Sequence, residues 1–334
     1  MFDLNLKTKH FLTGEELSKI ELLKLLDQAI ELKKSRRTQT LKDKTVALVF
    51  EKPSLRTRVS FTVGVQELGG NVIELTSTQK KKETPEDSIR VLQGYVQGAM
   101  VRTFEHEILE KMTSVSSIPI INGLSDLHHP CQVLADLQTL KENFGELKGL
   151  KLAYIGDGNN MLHSLLLLLP FLGVDVHFAC PKGFQPDAKI LKRAMERAKK
   201  AGASIQGFAT PELAVAGVNA IYTDVWTSMG FEAEGQKREK AFKGYQINSG
   251  LYKKASPNAI IMHCMPVDEG KEITREMIEH KNSVLFQQSE NRLHAQKALL
   301  MGLFAKTLKK TSQKNNLKET SSWRSPHKAS HEHA

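Results

Sequence analysis

The feature that most constrains this chain is an alternation: short runs rich in β-branched residues recur between segments of helical periodicity, from Thr45–Phe50 to Ala259–His263. Two parallel strands can be joined only by a crossover, and the crossover lays a helix across the sheet, so this pattern predicts parallel sheets covered on both faces. In the first half a helix from the Thr13–Glu16 capping box to Arg36 precedes strands at Thr45–Phe50, Asn71–Leu75, Ala99–Phe104 and Ile118–Asn122. Between the strands lie helices running to Leu68, from Pro85 to Val96 and near Glu107, and a long helix from Pro130 to Phe144 leads to a break at Gly145–Gly149. The second half repeats the pattern. Its strands are Lys151–Ile155, Asp175–Ala179, Ser204–Phe208, Ala220–Thr223, Ala259–His263 and Ser283–Phe286, and its helices are Met161–Leu169, Asp187–Ala201, Pro211–Ala216, Thr274–His280 and Asn291–Leu308.

The expected fold is α/β, with two doubly wound domains, each a central parallel sheet flanked by helices. Residues 1–145 form the first domain, with the closing helix 291–308 packing back onto it, and residues 146–290 form the second. The polar stretch 311–334 reads as a disordered basic tail.

Composition narrows the function. No apolar run approaches the roughly 20 residues of a membrane helix, and Met1–Asn5 lacks the basic start of a signal peptide, so a cytoplasmic location is expected. Cys131, Cys180 and Cys264 form no C-x-x-C pair; each is a buried thiol or a site residue, and no metal set is read. The net charge of +10 is concentrated in the tail, Lys33–Arg37 and Lys80–Lys82, and five tyrosines with two tryptophans make no stacking platform. Solvated surface, rather than a nucleic-acid face, accounts for it.

In parallel sheets the informative residues sit at the carboxyl ends of strands. Phe50–Phe61 turns from strand to helix, with Pro53 and Ser54 as start signals. Its free N–H groups, with Ser54, Arg56, Thr57 and Arg58, are equipment for a phosphate, or else a capped helix with solvated arginines. Arg102 ends an apolar strand and needs an anion, whether a ligand or an internal carboxylate. Pro130 suits a first helical position, which places His129 at the N-cap and Gln132 on the first turn, as readers of a carbonyl and an amide or as structural polar residues. Gly156-Asp157-Gly158-Asn159-Asn160 resembles a dinucleotide loop, but Met161 replaces its third glycine and no acidic residue follows the next strand. A nicotinamide cofactor is not expected there, which leaves Asn160 for a smaller ligand. Asp224, four residues before Ser228, either holds an ammonium or makes an Asx turn. His263-Cys264-Met265-Pro266 closes a strand, with a Met265–Pro266 bond able to be cis, and Cys264 lacks the base that would make it a nucleophile.

In this order the motifs resemble the aspartate/ornithine carbamoyltransferase family, most closely its ornithine branch. The resemblance spans residues 5 to 308 and rests on Ser54-Leu55-Arg56-Thr57-Arg58, His129-Pro130-Cys131-Gln132, Asp224 with Ser228-Met229-Gly230, His263-Cys264-Met265-Pro266 and Glu290-Asn291-Arg292-Leu293-His294. It implies a transfer from carbamoyl phosphate to the δ-amine of L-ornithine by a homotrimer with shared sites and no cofactor. Ser54, Leu55, Arg56, Thr57 and Arg102 would hold the phosphate, with Gln79 from a neighbour's loop. Thr57, Arg102 and His129 would polarise the carbonyl. Gln132 and the carbonyl of Met265 would hold the carbamoyl amine, with Arg292 approaching from the last helix. Asn160, Asp224, Ser228 and Met229 would fix the amino-acid end of ornithine, and Cys264 with Asp224 would steer its δ-amine. N-acylornithine and putrescine are alternative acceptors within the family, and a weakened, ligand-binding relative is a further alternative. Two stretches depart from the family pattern: Lys80-Lys81-Lys82-Glu83-Thr84-Pro85, where relatives carry a glycine-rich loop, and the acidic Val267-Asp268-Glu269-Gly270.

Overall fold

A computed structural model of the chain describes residues 4–76, 83–227 and 234–321, with side chains as far as 305. The first half runs α1 (Lys19–Lys34), β1 (Thr45–Phe50), α2 (Leu55–Glu67), β2 (Asn71–Thr76), α3 (Pro85–Leu92), β3 (Gly98–Arg102), α4 (His106–Val115), β4 (Ile120–Leu124) and α5 (Pro130–Phe144). There follow β5 (Lys151–Ile155), α6 (Asn160–Leu168), β6 (Asp175–Ala179), α7 (Ala188–Ala201), β7 (Ile205–Gly207), α8 (Pro211–Ala214) and β8 (Ala220–Thr223). The chain continues through α9 (Gly235–Ala241), α10 (Ser249–Tyr252), β9 (Ile260–His263), α11 (Arg275–Ile278) and α12 (Leu285–Ser321).

Two sheets form, β2-β1-β3-β4 and β7-β6-β5-β8-β9, and every strand pair in them is parallel. Chain order reverses direction between β1 and β3 in the first and between β5 and β8 in the second. At such a point the two crossovers leave in opposite directions and open a crevice beyond the strand ends. Strands β3, β8 and β9 are buried along their whole length, as sheets covered by helices on both faces require.

One apolar core joins the two sheets. It takes Leu22 and Leu26 from α1, Phe61 from α2, Leu134 from α5, Leu165 from α6 and Leu299 from α12. Helix α12 packs on α1, α2 and α5. Its fully buried Lys297 pairs with Glu67 at 2.7 Å and donates to the backbone oxygen of Arg36, which ties α12 to α2 and to the end of α1.

Several elements differ from the sequence reading. The Thr13–Glu16 box exists, with Thr13 N donating to Glu16 Oε1 at 3.0 Å, but it closes a turn in which Gly14 has φ +89°. Helix α1 starts only after a second box, Ser18 with Glu21. The expected strand Ser283–Phe286 contributes a single bridge, Ser283 to Ile261, before the helical period of Leu285, Gln288 and Asn291 takes over. Helix α12 begins before Asn291 and runs to Ser321; no glycine or proline lies between Gly302 and Pro326 to stop it. Residues 322–334 lie outside the described residues. Helix α9 went unread because Gly-Gln-Lys-Arg-Glu-Lys-Ala carries no apolar period.

Candidate active site

The two crevices face one cavity of about 770 Å³. Its walls come from the loop after β1 (Lys52–Arg56), the end of β3 (Arg102), the loop after β5 (Asp157–Asn160), the ends of β8 and β9 (Asp224, Cys264) and Arg292 of α12.

On the first-domain side Ser54 caps α2, its hydroxyl accepting from Thr57 N at 3.3 Å. The first turn of α2 therefore presents its remaining N–H groups and positive end toward the cavity wall. Thr57, fully buried, accepts from two guanidiniums: Arg292 Nη2 at 2.8 Å and Arg102 Nη1 at 3.4 Å. Its own hydroxyl proton remains to be donated elsewhere. A register irregularity between Val101 and Arg102 breaks the ladder where the Arg102 side chain departs. Burial, with Arg292 and Arg56 nearby, pushes Arg102 down to about 10, and burial also lowers Arg292. Among the described residues none of Arg56, Arg102 and Arg292 forms an ion pair with a carboxylate, whereas the adjacent Arg58 pairs with Glu74 at 2.8 Å. Two buried guanidiniums with the half-buried Arg56 near them, none ion-paired with a carboxylate among the described residues, make a site for an anion.

His129 occupies the N-cap of α5, and its backbone N–H donates to Ser164 Oγ of α6 at 2.8 Å, across the two halves. Burial, then Arg292 and Arg102, hold its imidazole well below 6.5, so it is neutral at physiological pH. Gln132, one turn on, donates from Nε2 to Asp136 Oδ1 at 2.9 Å. Buried polar atoms without partners gather here: Arg102 Nε, Arg292 Nε, His129 Nδ1 and Gln132 Oε1. Native interiors rarely leave such atoms unpaired, so the group marks a place for a polar ligand.

On the second-domain side the carboxylate of Asp224 is held firmly. Oδ2 accepts from Asn159 Nδ2 at 2.8 Å, and Oδ1 accepts from Val225 N at 2.8 Å and from the Cys264 thiol at 2.9 Å. Burial and the Asp224 charge drive Cys264 well above its usual value, so it stays a thiol. Asn160 also lines the cavity, and its Nδ2 donates to Ser125 O at 2.6 Å. The Met265–Pro266 peptide is cis. Gly158 N donates to Phe184 O at 2.9 Å, and a Cβ on Gly158 would lie 2.3 Å from the Gln185–Pro186 backbone. The glycine of the dinucleotide-like loop thus serves a chain crossing. Gln79, Ser228 and Met229 lie outside the described residues, as do Lys80–Lys82.

Three residues of the site escaped the sequence reading. Lys52 lines the cavity with its ammonium 4.0 Å from the centre of the Phe104 ring. Asn159, rather than its neighbour, holds Asp224. Arg238 of α9, buried, pairs with Asp157 at 2.6 Å and donates to Trp226 O at 2.9 Å, which fastens the segment after β8 to the loop after β5. Only Lys52 had a sequence signal, its place beside the Pro53–Arg58 turn.

Asp224, His263 and Cys264 bring metal-ligand atoms within 4.8 Å of one another. Both nitrogens of His263 are occupied, however: Nδ1 accepts from Met265 N at 2.8 Å, and Nε2 donates to Glu272 Oε1 at 3.1 Å. The thiol proton of Cys264 is committed to Asp224. With these atoms committed to other partners, the three residues as arranged do not suit a cation.

Two family profiles match the chain. Residues 9–142 match the carbamoyl-P binding domain, and residues 148–303 the Asp/Orn binding domain, of the aspartate/ornithine carbamoyltransferases. Among similar proteins, an ornithine carbamoyltransferase of Oceanobacillus iheyensis is 48% identical over 307 residues, covering 90% of this chain and 95% of the relative. Solved structures of ornithine carbamoyltransferases resemble the fold closely. That from Gloeobacter violaceus has TM-score 0.82 at 45% identity, covering 89% of this chain and 99% of its own, and that from Pyrococcus furiosus 0.85 at 42%, covering 90% and 97%.

Proposed function

The chain belongs to the aspartate/ornithine carbamoyltransferase family, and from that premise we propose that it transfers the carbamoyl group of carbamoyl phosphate to the δ-amine of L-ornithine, giving L-citrulline and phosphate. The observation that carries this reading is that Arg102 and Arg292 converge on Thr57 at the head of α2 with Arg56 nearby, none of the three paired with a carboxylate among the described residues.

The α2 N-terminus, Ser54, Leu55, Arg56 and Thr57 receive the phosphate, and Gln79 of a neighbouring subunit covers it. Arg102 spans phosphate and carbonyl oxygen. The neutral δ-amine attacks the carbonyl carbon, and the C–N bond forms as the carbonyl electrons move to oxygen. Thr57, Arg102 and the uncharged His129 stabilise that oxyanion by donating hydrogen bonds. When the carbonyl re-forms, the C–O bond to phosphate breaks, and the phosphate carries off the amine's proton. Gln132 Oε1 and the Met265 carbonyl hold the carbamoyl amine. Asp224, Asn160, Ser228 and Met229 bind the amino-acid end of ornithine, and Cys264, as a thiol, lies with Asp224 beside the amine's path.

We place the enzyme in the cytoplasm, in arginine biosynthesis, as a homotrimer. The exposed Leu55 and Val59 of α2 beside Ile73 and Leu75 of the edge strand β2 support a subunit contact at this corner. A colorimetric ureido assay with carbamoyl phosphate tests the acceptor. L-ornithine should give product, with N-acetylornithine and putrescine far behind; a faster reaction with either would reassign the substrate, and binding of carbamoyl phosphate without product from any acceptor would make the chain a non-catalytic relative.

A further inference from the structure

Asp136 touches none of the reacting atoms, yet its carboxylate is fully buried one helical turn behind Gln132 and bonded to it. We propose that Asp136 is a positioning residue that sets the Gln132 amide with its oxygen toward the carbamoyl nitrogen, and thereby gives the site its preference for carbamoyl phosphate over acetyl phosphate. The proposal rests on the reading of Gln132 as the partner of the carbamoyl amine.

The two ends of a glutamine amide have nearly the same shape, so only its hydrogen bonds decide which way it points. Here the direction can be traced from a group that cannot reverse. The backbone N–H of His263 can only donate, and it donates to Gln288 Oε1 at 2.9 Å. Gln288 Nε2 must therefore face the other way, donating to Asp136 Oδ1 at 2.7 Å and to the Tyr222 hydroxyl at 3.0 Å. Tyr222 donates to Asp136 Oδ2 at 3.2 Å. Asp136 Oδ1 is thus an acceptor, and it takes Gln132 Nε2 at 2.9 Å. The amide oxygen of Gln132 is left buried and without a partner, on the same first turn of α5 as His129, whose Nδ1 is also unpaired.

The chain of bonds holds in either charge state. Burial pushes the Asp136 carboxyl up to about 7, against the pull of Gln132, Gln288, Tyr222 and Arg292. A proton taken up settles on Oδ2, where Tyr222 can turn its hydroxyl to accept, and Oδ1 keeps both amides. The specificity follows from what each ligand offers Gln132 Oε1. The NH₂ of carbamoyl phosphate donates to it, whereas the methyl of acetyl phosphate leaves a desolvated acceptor unmet. Asp136, Tyr222 and Gln288 come from α5, β8 and the start of α12, so the orientation also depends on the two halves being joined.

The test measures calorimetric dissociation constants of carbamoyl phosphate and acetyl phosphate for the full chain and for Asp136→Asn, Asp136→Leu and Gln132→Met. The unaltered protein should prefer carbamoyl phosphate by at least about tenfold. Asp136→Asn should keep that ratio within about threefold, because its amide oxygen replaces Oδ1 and its NH₂ can face the Tyr222 oxygen. Asp136→Leu should bring the ratio toward that of Gln132→Met, with the carbamoyl phosphate KM raised and the ornithine KM unchanged. A folded Asp136→Leu with the original ratio overturns the proposal, as does an Asp136→Asn that loses the ratio as fully as Gln132→Met. If Asp136→Leu does not fold, the comparison of Asp136→Asn with Gln132→Met decides alone. Undiminished preference in Gln132→Met would remove Gln132 from its role, and the proposal with it; citrulline formation by the unaltered protein is a separate measurement.

Discussion

Arg56 stands at the cavity's edge, and its charge lowers both Arg102 and Arg292. Three cations in so small a space repel one another until an anion arrives, so removal of one relieves the free protein and weakens the bound state. Arg56→Ala should lower kcat/KM by about 10²-fold, roughly 3 kcal/mol, with thermal stability kept or slightly raised; steady-state kinetics within threefold of the parent would exclude it from the mechanism. Buried histidines make a second prediction. Burial lowers His10 to about 4, His128 to about 2 and His129 well below 6.5. Between those values and 6.5 the unfolded chain binds protons that the folded one refuses, so stability rises with pH across that window and is lost as pH falls below about 6.5. Asp136 acts in the opposite sense, costing stability as pH rises toward about 7, and burial raises Asp157 likewise, but these are two groups against several histidines. Melting temperatures at pH 5.5 and 7.5 should differ by several degrees in favour of 7.5; an equal or higher value at 5.5 contradicts this account.

At the level of elements, the strand ends carry the function because the order of strands places them there. The β1–α2 turn was legible in the sequence: Pro53 and Ser54 announce the helix, and Ser54 does cap it. Pro130 likewise put His129 at the N-cap of α5, where it is found. What the sequence could not disclose was partnership over long separations. Asp136 reads as one more polar residue of an amphipathic helix until Tyr222 and Gln288 are folded onto it. The Asn159–Asn160 pair shows the same limit, since nothing local tells which amide reaches Asp224. Gly158 gives a prediction at this scale. In Gly158→Ala the new methyl group meets backbone atoms 2.3 Å away, so the β5–α6 loop or the Gln185–Pro186 segment must move. The ornithine KM should rise about tenfold or more while carbamoyl phosphate binding, on the other domain, stays near normal. Equal loss of both would show that the damage is global.

In the whole molecule the two crevices bring a cation-lined pocket from one sheet against a carboxylate-bearing pocket from the other, which matches an anionic donor and a cationic acceptor. The exposed corner of α2 and β2 lies next to the phosphate end of that cavity, and a neighbour docked there would bring its own loop to the site. Sedimentation equilibrium should give about three times the 37.4 kDa of the chain, and Val59→Glu, at a half-exposed apolar position on α2, should lower both mass and activity; a fully active monomer would contradict the shared site. The proposed reaction makes a bond between the carbamoyl carbon and the side-chain nitrogen of ornithine. It is tested most directly by incubating the full chain with ¹³C-labelled carbamoyl phosphate and ornithine labelled with ¹⁵N at the δ position and following the carbon by NMR. Carbamoyl transfer to ornithine gives a ureido carbon split by one-bond coupling to ¹⁵N, growing one for one with released phosphate; labelled carbon recovered only as cyanate or bicarbonate, with no coupled signal, would contradict it.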